Sequence, residues 1–242
     1  MEEEFKRDAV IHHLMAVCGG FIGVYAIVSR MGVFGSAQTA NLIELVCDIL
    51  GREPMEILSR VAALAIYMGA MVLYVVLEKR SPWDVRRVSI LIDLGAVGLS
   101  GLIPEGVNPF AALYPIFFAT SFQWCAFKGA GSYVSATIFS TNNLKQTVTS
   151  VTEALLSRKD EPEYDKKMEK AKFFGGTLAC FHLGVAAGYG LWLLWGVRSI
   201  WACALPLCAC GLLVRGRREA QASVRGTALP GKWMFLRGSE GQ

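Results

Sequence analysis

Long apolar runs separated by short charged stretches dominate the chain. The hydrocarbon core of a bilayer is crossed by a helix of about 20 apolar residues, and six runs come close to or reach that length. They are residues 9–28, 61–77, 88–103, 110–127, 173–195 and 200–214. The pattern therefore predicts an all-α, polytopic membrane protein with about six transmembrane helices and the lipid bilayer as its partner.

Two further segments, residues 36–51 and 135–156, are less apolar and carry polar side chains along their length. Lys and Arg concentrate in cytoplasmic loops of membrane proteins, and three stretches here are basic: 79–87, 158–172 and 215–218. If both polar segments are re-entrant, all three basic stretches fall on one side. We therefore expect six spans plus two re-entrant or short polar helices, with both termini cytoplasmic; eight spans, or helices lying on the surface, remain the alternative.

The two polar segments resemble each other. Thr39 aligns with Thr141, Asn41 with Asn143, and Leu42 with Leu144, and the flanking apolar runs repeat in the same order. Three spans and one re-entrant helix per copy are an odd number of crossings, which turns the second copy upside down. The sequence thus predicts an inverted internal repeat, the plan of many transporters, in which interrupted helices meet near the midplane.

These features divide the chain into four parts. Residues 1–8 form a cytoplasmic N-terminus, 9–103 the first membrane repeat and 110–214 the second. Residues 215–242, which contain basic residues and Gly/Pro breaks, form a cytoplasmic tail that we expect to be mobile.

Polar residues at membrane depth mark the candidate substrate-binding site. They are Gln38, Thr39, Asn41, Glu44, Ser140, Thr141, Asn142, Asn143 and Gln146. The alternative reading is that these side chains only join helices through hydrogen bonds. Glycines at 32–35 and 129–131 precede the two polar helices and permit tight chain reversals. If the helices are re-entrant, their N-termini lie near the midplane, where the positive dipole end favours an anionic or strongly polar ligand.

Other ionisable residues lie inside the spans or beside them. Glu44 and Lys145 belong to the polar helices, whereas Asp93 and His182 stand alone within better spans. Such residues are functional candidates, but an interhelical hydrogen bond is the other reading for Asp93 and His182.

Composition agrees with a membrane protein and excludes several classes. Apolar residues make up 53% of the chain and charged residues only 18%, fewer than a soluble surface requires. The net charge of +4 is too small and too scattered to indicate nucleic acid. The seven cysteines have no metal-ligand spacing and read as small apolar residues. We find no hydrolase, metal or phosphate-loop motif and no cleavable signal, and so expect no catalytic residue, no metal and no cofactor.

Two stretches carry a resemblance to a known family. The first runs from Gly19 to Tyr25 and continues from Phe34 to Leu42; the second runs from Phe118 to Ala126 and continues from Thr137 to Leu144. Over residues 9–214 the chain resembles the YoaK-like family of bacterial multipass membrane proteins, a domain of unknown function often labelled a small-molecule permease. The resemblance implies a bacterial cytoplasmic membrane location and a permease function, and it names no substrate.

The chain departs from that family's pattern at a few positions. The family usually has Thr-Gly-Asn where residues 39–41 read Thr-Ala-Asn, and Thr-Gly-Thr where residues 141–143 read Thr-Asn-Asn. It also often carries an acid where Gly23 stands. A proton-coupling role for the first span is therefore not expected here.

The leading hypothesis is a transporter, permease or channel for an unidentified small polar or anionic solute. Its site would lie at the midplane between inverted repeats. A membrane-embedded enzyme or lipid-handling protein, using His182, Asp93 or Glu44, is one alternative. A noncatalytic membrane scaffold is another.

Overall fold

The computed structural model describes residues 2–30, 37–51, 54–160 and 162–214, and most of them lie in helices. The helices are α1 (Glu2–Ser29), α2 (Gln38–Gly51), α3 (Pro54–Arg80), α4 (Val85–Ser100), α5 (Pro109–Ala126), α6 (Thr141–Leu156), α7 (Pro162–Trp195), a 3-10 helix (Gly196–Cys203) and α8 (204–214). Two short antiparallel strands, β1 (Gly129–Ala130) and β2 (Tyr133–Val134), form a ribbon between α5 and α6. The predicted helical class is confirmed, with this ribbon as an addition.

Local sequence signals explain where several helices begin and end. The Asp84 carboxylate accepts a hydrogen bond from the backbone N–H of Arg86 at 3.0 Å and caps α4. Asn108 caps α5 in the same way, and Pro109, which has no N–H to satisfy, occupies the first helical position. α7 ends at Trp195, and the next residue, Gly196, has a φ of +56°, which favours glycine and interrupts the α-helix.

Glycines allow the closest helix packing, between α1 and α7. A Cβ atom at Gly20 would stand 1.9 Å from the carbonyl oxygen of Phe181, and one at Gly184 would stand 2.0 Å from that of Val17. Only hydrogen atoms fit at these two points, so the backbones of α1 and α7 touch. α3 packs along α5, α4 against α5, α6 along α7 and α2 along α3.

Side-chain contacts define two ends of the molecule. At the end that we call the basic end, Asp8 near the start of α1 pairs with Arg86 near the start of α4 at 3.0 Å. Lys128, just after α5, pairs with Glu78 near the end of α3 at 3.2 Å. Arg7 donates to the carbonyl of Leu213 at 2.7 Å, which brings the end of α8 to the same place.

Contacts at the opposite end join the other termini of the same helices. Tyr25, late in α1, donates to the carbonyl of Ser100 at 3.1 Å, and Arg30 donates to the carbonyls that follow α4. The Arg60 guanidinium, early in α3, lies 4.3 Å from the centre of the Phe110 ring at the start of α5. α1 and α4 therefore run from the basic end to the opposite end, whereas α3 and α5 run back.

Large apolar side chains cover much of the outer surface. Val72 of α3, Leu91 of α4 and Leu212 of α8 are each more than 60% exposed. Within the described ranges, three helical stretches are long and apolar enough to cross a membrane: Glu2–Ser29, Pro54–Arg80 and Pro162–Val214. α4 has 16 residues and is shorter than a usual span. The length and surface of these helices support a membrane protein.

Several predicted boundaries need correction. α1 begins at Glu2, so the first helix starts seven residues before the predicted span of residues 9–28. α7 begins at Pro162, eleven residues before the predicted span, because its first turns are polar and extend beyond the apolar run. The glycine-containing entry at 129–131 lies in the ribbon, with Gly129 and Gly131 both at positive φ. The predicted entry at 32–35 and the tail at 215–242 lie outside the described residues.

Candidate functional site

A cavity of about 940 Å³ lies where the N-termini of α2 and α6 approach each other. α1, α3, α5 and α7 supply the rest of its wall. Tyr67 lies at the midpoint of the 27-residue α3, which places the cavity at mid-depth in the helix bundle. The lining residues that the structure describes are Gly23, Val24, Ile27, Ala37, Gln38, Thr39, Leu64, Tyr67, Met68, Met71, Trp124, Phe139, Ser140, Thr141, Asn142, Lys145, Phe181 and Val185.

Five of the nine predicted site residues line this cavity. Gln38 and Thr39 open α2, and Ser140, Thr141 and Asn142 open α6. The first N–H groups of a helix have no partner within the helix, and Ser140 makes no side-chain cap bond. Both helices thus present polar side chains and their positive dipole ends to one cavity.

Asn143 has a different position from the one the sequence suggested. Its side-chain amide donates to the carbonyls of Ala136 at 2.9 Å and Phe139 at 3.0 Å, and its oxygen accepts from the Ser135 hydroxyl at 2.8 Å. The side chain is 1% exposed and holds the loop that enters α6. Asn143 is therefore a loop-organising residue and is absent from the described cavity wall.

Asn41 and Glu44 face α3. Asn41 adjoins a nearly closed space of about 10 Å³ beside Arg60 and Phe110. The Glu44 carboxylate and that of Asp48 both pair with the Arg60 guanidinium, which holds α2 along α3. Asn41 and Asn143 thus do not meet across the cavity, because Asn41 lies against α3 and Asn143 bonds to the loop before α6. Gln146 is half-buried and is likewise not among the described lining residues.

The lining also contains residues that the sequence did not single out. Leu64, Tyr67, Met68 and Met71 follow a three-to-four spacing and so share one face of α3. Lys145, which the sequence indicated as an ionisable functional candidate but not as a substrate-binding residue, lines the cavity one turn into α6. The spacing of these four residues on α3 is visible in the sequence, but the sequence does not show that this face of the helix lines a cavity.

The residues proposed for an embedded enzyme lie in separate surroundings. Asp93 is fully buried, with the Ser89 hydroxyl 3.5 Å away, whereas His182 bonds to the carbonyl of Leu178 at 2.8 Å. Glu44 pairs with Arg60. In the part of the chain that the structure describes, no group of three or more His, Cys, Asp or Glu side chains is placed to hold a metal ion.

Adjacent His12 and His13 contact Phe173 of α7. His12 is 1% exposed and stacks on the Phe173 ring with 5.4 Å between ring centres. His13 contacts the Phe173 carbonyl at 3.0 Å through Nε2. His12 is therefore enclosed between α1 and α7.

A family model for proteins of unknown function (DUF1275) matches residues 11–213. This range covers most of the chain, so the chain belongs to the DUF1275 family. No curated protein and no solved structure matches it significantly.

Proposed function

We propose that this member of the DUF1275 family is a membrane transporter, permease or channel for a small polar or anionic solute. The observation that carries the proposal is the shared cavity: α2 and α6, from different halves, both begin at its wall. Helices that begin inside a membrane bundle leave N–H groups without intrahelical partners, and such backbone is tolerated where a water-filled cavity or a ligand satisfies it. A passive anchor has no need of this arrangement.

Helix direction supports six crossings with two re-entrant helices. α1 ends and α3 begins at the opposite end, so the chain that contains α2 leaves and returns at the same end. α5 ends at the basic end, where Phe5 of α1 contacts Phe173 in the first half of α7, with 6.2 Å between ring centres. The chain that contains α6 therefore also returns to the end it left.

The packing pairs support an inverted repeat. If α1 to α4 correspond to α5 to α8, the α1–α7 contact corresponds to α5–α3, and α2–α3 corresponds to α6–α7. α1 starts at the basic end, whereas its counterpart α5 starts at the opposite end. An inversion across the bundle that relates the two copies would account for both observations.

Charge supports a cytoplasmic basic end. The last turn of α3 contains Lys79 and Arg80, and the first turn of α4 contains Arg86 and Arg87. The start of α7 is rich in lysine. Under the positive-inside rule this end faces the cytoplasm, as does the start of α1. The proposal includes no catalytic step and no cofactor.

A test that needs no substrate is the access of water to the cavity. In a cysteine-free background, Thr39→Cys and Thr141→Cys should react with a membrane-impermeant methanethiosulfonate from at least one side of the membrane. Thiolates are the reactive species and form only in contact with water. Val72→Cys is the control, since Val72 is 63% exposed on the outer face of α3, where we expect lipid.

The outcomes separate the hypotheses. Reaction at Thr39→Cys and Thr141→Cys, with Val72→Cys inert, supports a permeation pathway. If the two cavity positions are as inert as Val72→Cys from both sides, the transporter proposal is wrong and a scaffold is favoured.

A further inference from the structure

Charge in the cavity wall is sparse and of one sign. Lys145 is the only Lys, Arg, Asp or Glu side chain among the described lining residues. It forms no ion pair with any carboxylate of the described ranges. It also stands one turn from the N-terminus of α6, where the helix dipole is already positive and a cation is unfavourable. An anion in the cavity would stabilise both the lysine and the two helix ends.

A buried hydroxyl provides a second, independent sign of a ligand. The Tyr67 side chain is on the cavity wall and only 3% exposed. Its hydroxyl has no hydrogen-bond partner among the residues that the structure describes. Leaving such a donor unsatisfied costs about 1–3 kcal/mol, and an acceptor group on a ligand that reached this hydroxyl would remove the penalty.

The remaining wall is apolar. α3 supplies Leu64, Met68 and Met71, and α7 supplies Phe181 and Val185. Met side chains adapt to the shape of an apolar partner. On the other side Trp124 and Phe139 meet edge to face, with 5.3 Å between ring centres. A fully hydrated solute would gain nothing from these surfaces, whereas a hydrocarbon or aromatic body would bury apolar area against them.

We infer that the cavity binds a small amphipathic anion: one carboxylate or similar group at Lys145 and the helix N-termini, attached to an aliphatic or aromatic body. The inference rests on the proposed function and narrows its solute class. A volume near 940 Å³ is at the upper end of pockets that enclose drug-sized ligands. One cation and no described carboxylate in the wall favour a monoanion over a zwitterion or a cation.

The test is equilibrium binding to the full chain in nanodiscs of phosphatidylcholine. Radiolabelled 4-phenylbutyrate is the water-soluble probe, and palmitate is the probe for a ligand drawn from the membrane. 4-Phenylbutyramide has the same shape without the charge, and succinate has charge without the apolar body. Lys145→Gln and Tyr67→Phe are the site variants. Lys159→Gln is the control, because Lys159 is an exposed lysine in the link before α7.

We expect 4-phenylbutyrate, palmitate or both to bind. The probe that binds more tightly shows whether the ligand comes from water or from the membrane. Lys145→Gln should weaken binding about tenfold or more, as expected for a charge-assisted hydrogen bond. Tyr67→Phe should weaken it several-fold, whereas Lys159→Gln should leave it unchanged. The amide should bind more weakly and should not respond to Lys145→Gln.

Three results would overturn the inference: no binding of either amphipathic acid, binding that ignores Lys145→Gln, or succinate binding as tightly as both acids. Measuring the flux of each acid into proteoliposomes distinguishes failure of the ligand-class inference from failure of the transporter proposal. Lys145-dependent binding of 4-phenylbutyrate without flux would retain the ligand class and reject transport. Succinate flux that depends on Lys145 would retain transport and reject the ligand class.

Discussion

Replacement of Asn143 by leucine separates a structural asparagine from a solute-binding one. The side chain makes three hydrogen bonds, with Ser135, Ala136 and Phe139, and is almost completely buried. Each such bond contributes about 0.5–1.5 kcal/mol in soluble proteins, and about 0.6 kcal/mol on average between membrane helices. Asn143→Leu should therefore destabilise the protein by about 2–4 kcal/mol, because it also leaves buried polar groups without partners.

Asn142→Leu is the matched control. Asn142 is the neighbouring asparagine in the same helical turn, is exposed, and lines the cavity. Its replacement should change stability by less than about 0.5 kcal/mol. Thermal unfolding of both variants in one detergent, followed by size-exclusion fluorescence, would measure the difference. Equal melting temperatures for the two variants would refute the assignment of Asn143 to the loop.

Two further substitutions test the contacts that hold the helices together. Gly20→Ala should lower the free energy of unfolding by about 1–3 kcal/mol, because the added methyl group pushes α1 away from α7. Gly98→Ala is the control and should not lower it, because a Cβ atom at Gly98 meets nothing within 4 Å. Thermal unfolding measures both variants, and equal stability of the two would contradict the close packing of α1 on α7. Arg60→Gln should lower the free energy of unfolding by roughly 1–3 kcal/mol, because the Arg60 side chain is 12% exposed and pairs with two carboxylates of α2. Arg158→Gln is its control, since that ion pair is exposed and worth less than about 1 kcal/mol; a similar loss for both arginines would rule out the α2–α3 clamp.

The sequence predicted the features that depend on local pattern. Apolar runs are visible residue by residue, so the long helices were predictable, whereas their ends were not, as at the polar start of α7. The likeness of residues 38–44 to 140–146 correctly picked out two short polar helices, and their first residues line one cavity.

The direction in which each polar side chain points was not predictable. Asn41 and Asn143 occupy matching positions, yet Asn143 bonds to the loop before α6 and Asn41 turns toward α3. Helical spacing fixes which residues share a face but not what that face meets. The partner of Glu44 is Arg60, which lies on the next helix. Tyr67 lines the cavity because of the way α3 packs against its neighbours, which helical spacing alone does not specify.

Labelling of two loops from opposite sides tests the six-span arrangement with a cytoplasmic basic end most directly. Trp83, between α3 and α4, is 66% exposed at the basic end, and Val107, between α4 and α5, is 37% exposed at the other. In a cysteine-free background expressed in bacterial cells, an impermeant maleimide added outside should label Val107→Cys and leave Trp83→Cys unlabelled until the cells are lysed. Labelling of Trp83→Cys from outside, with Val107→Cys protected, would place the basic end outside the cell and would contradict the six-span arrangement with a cytoplasmic basic end.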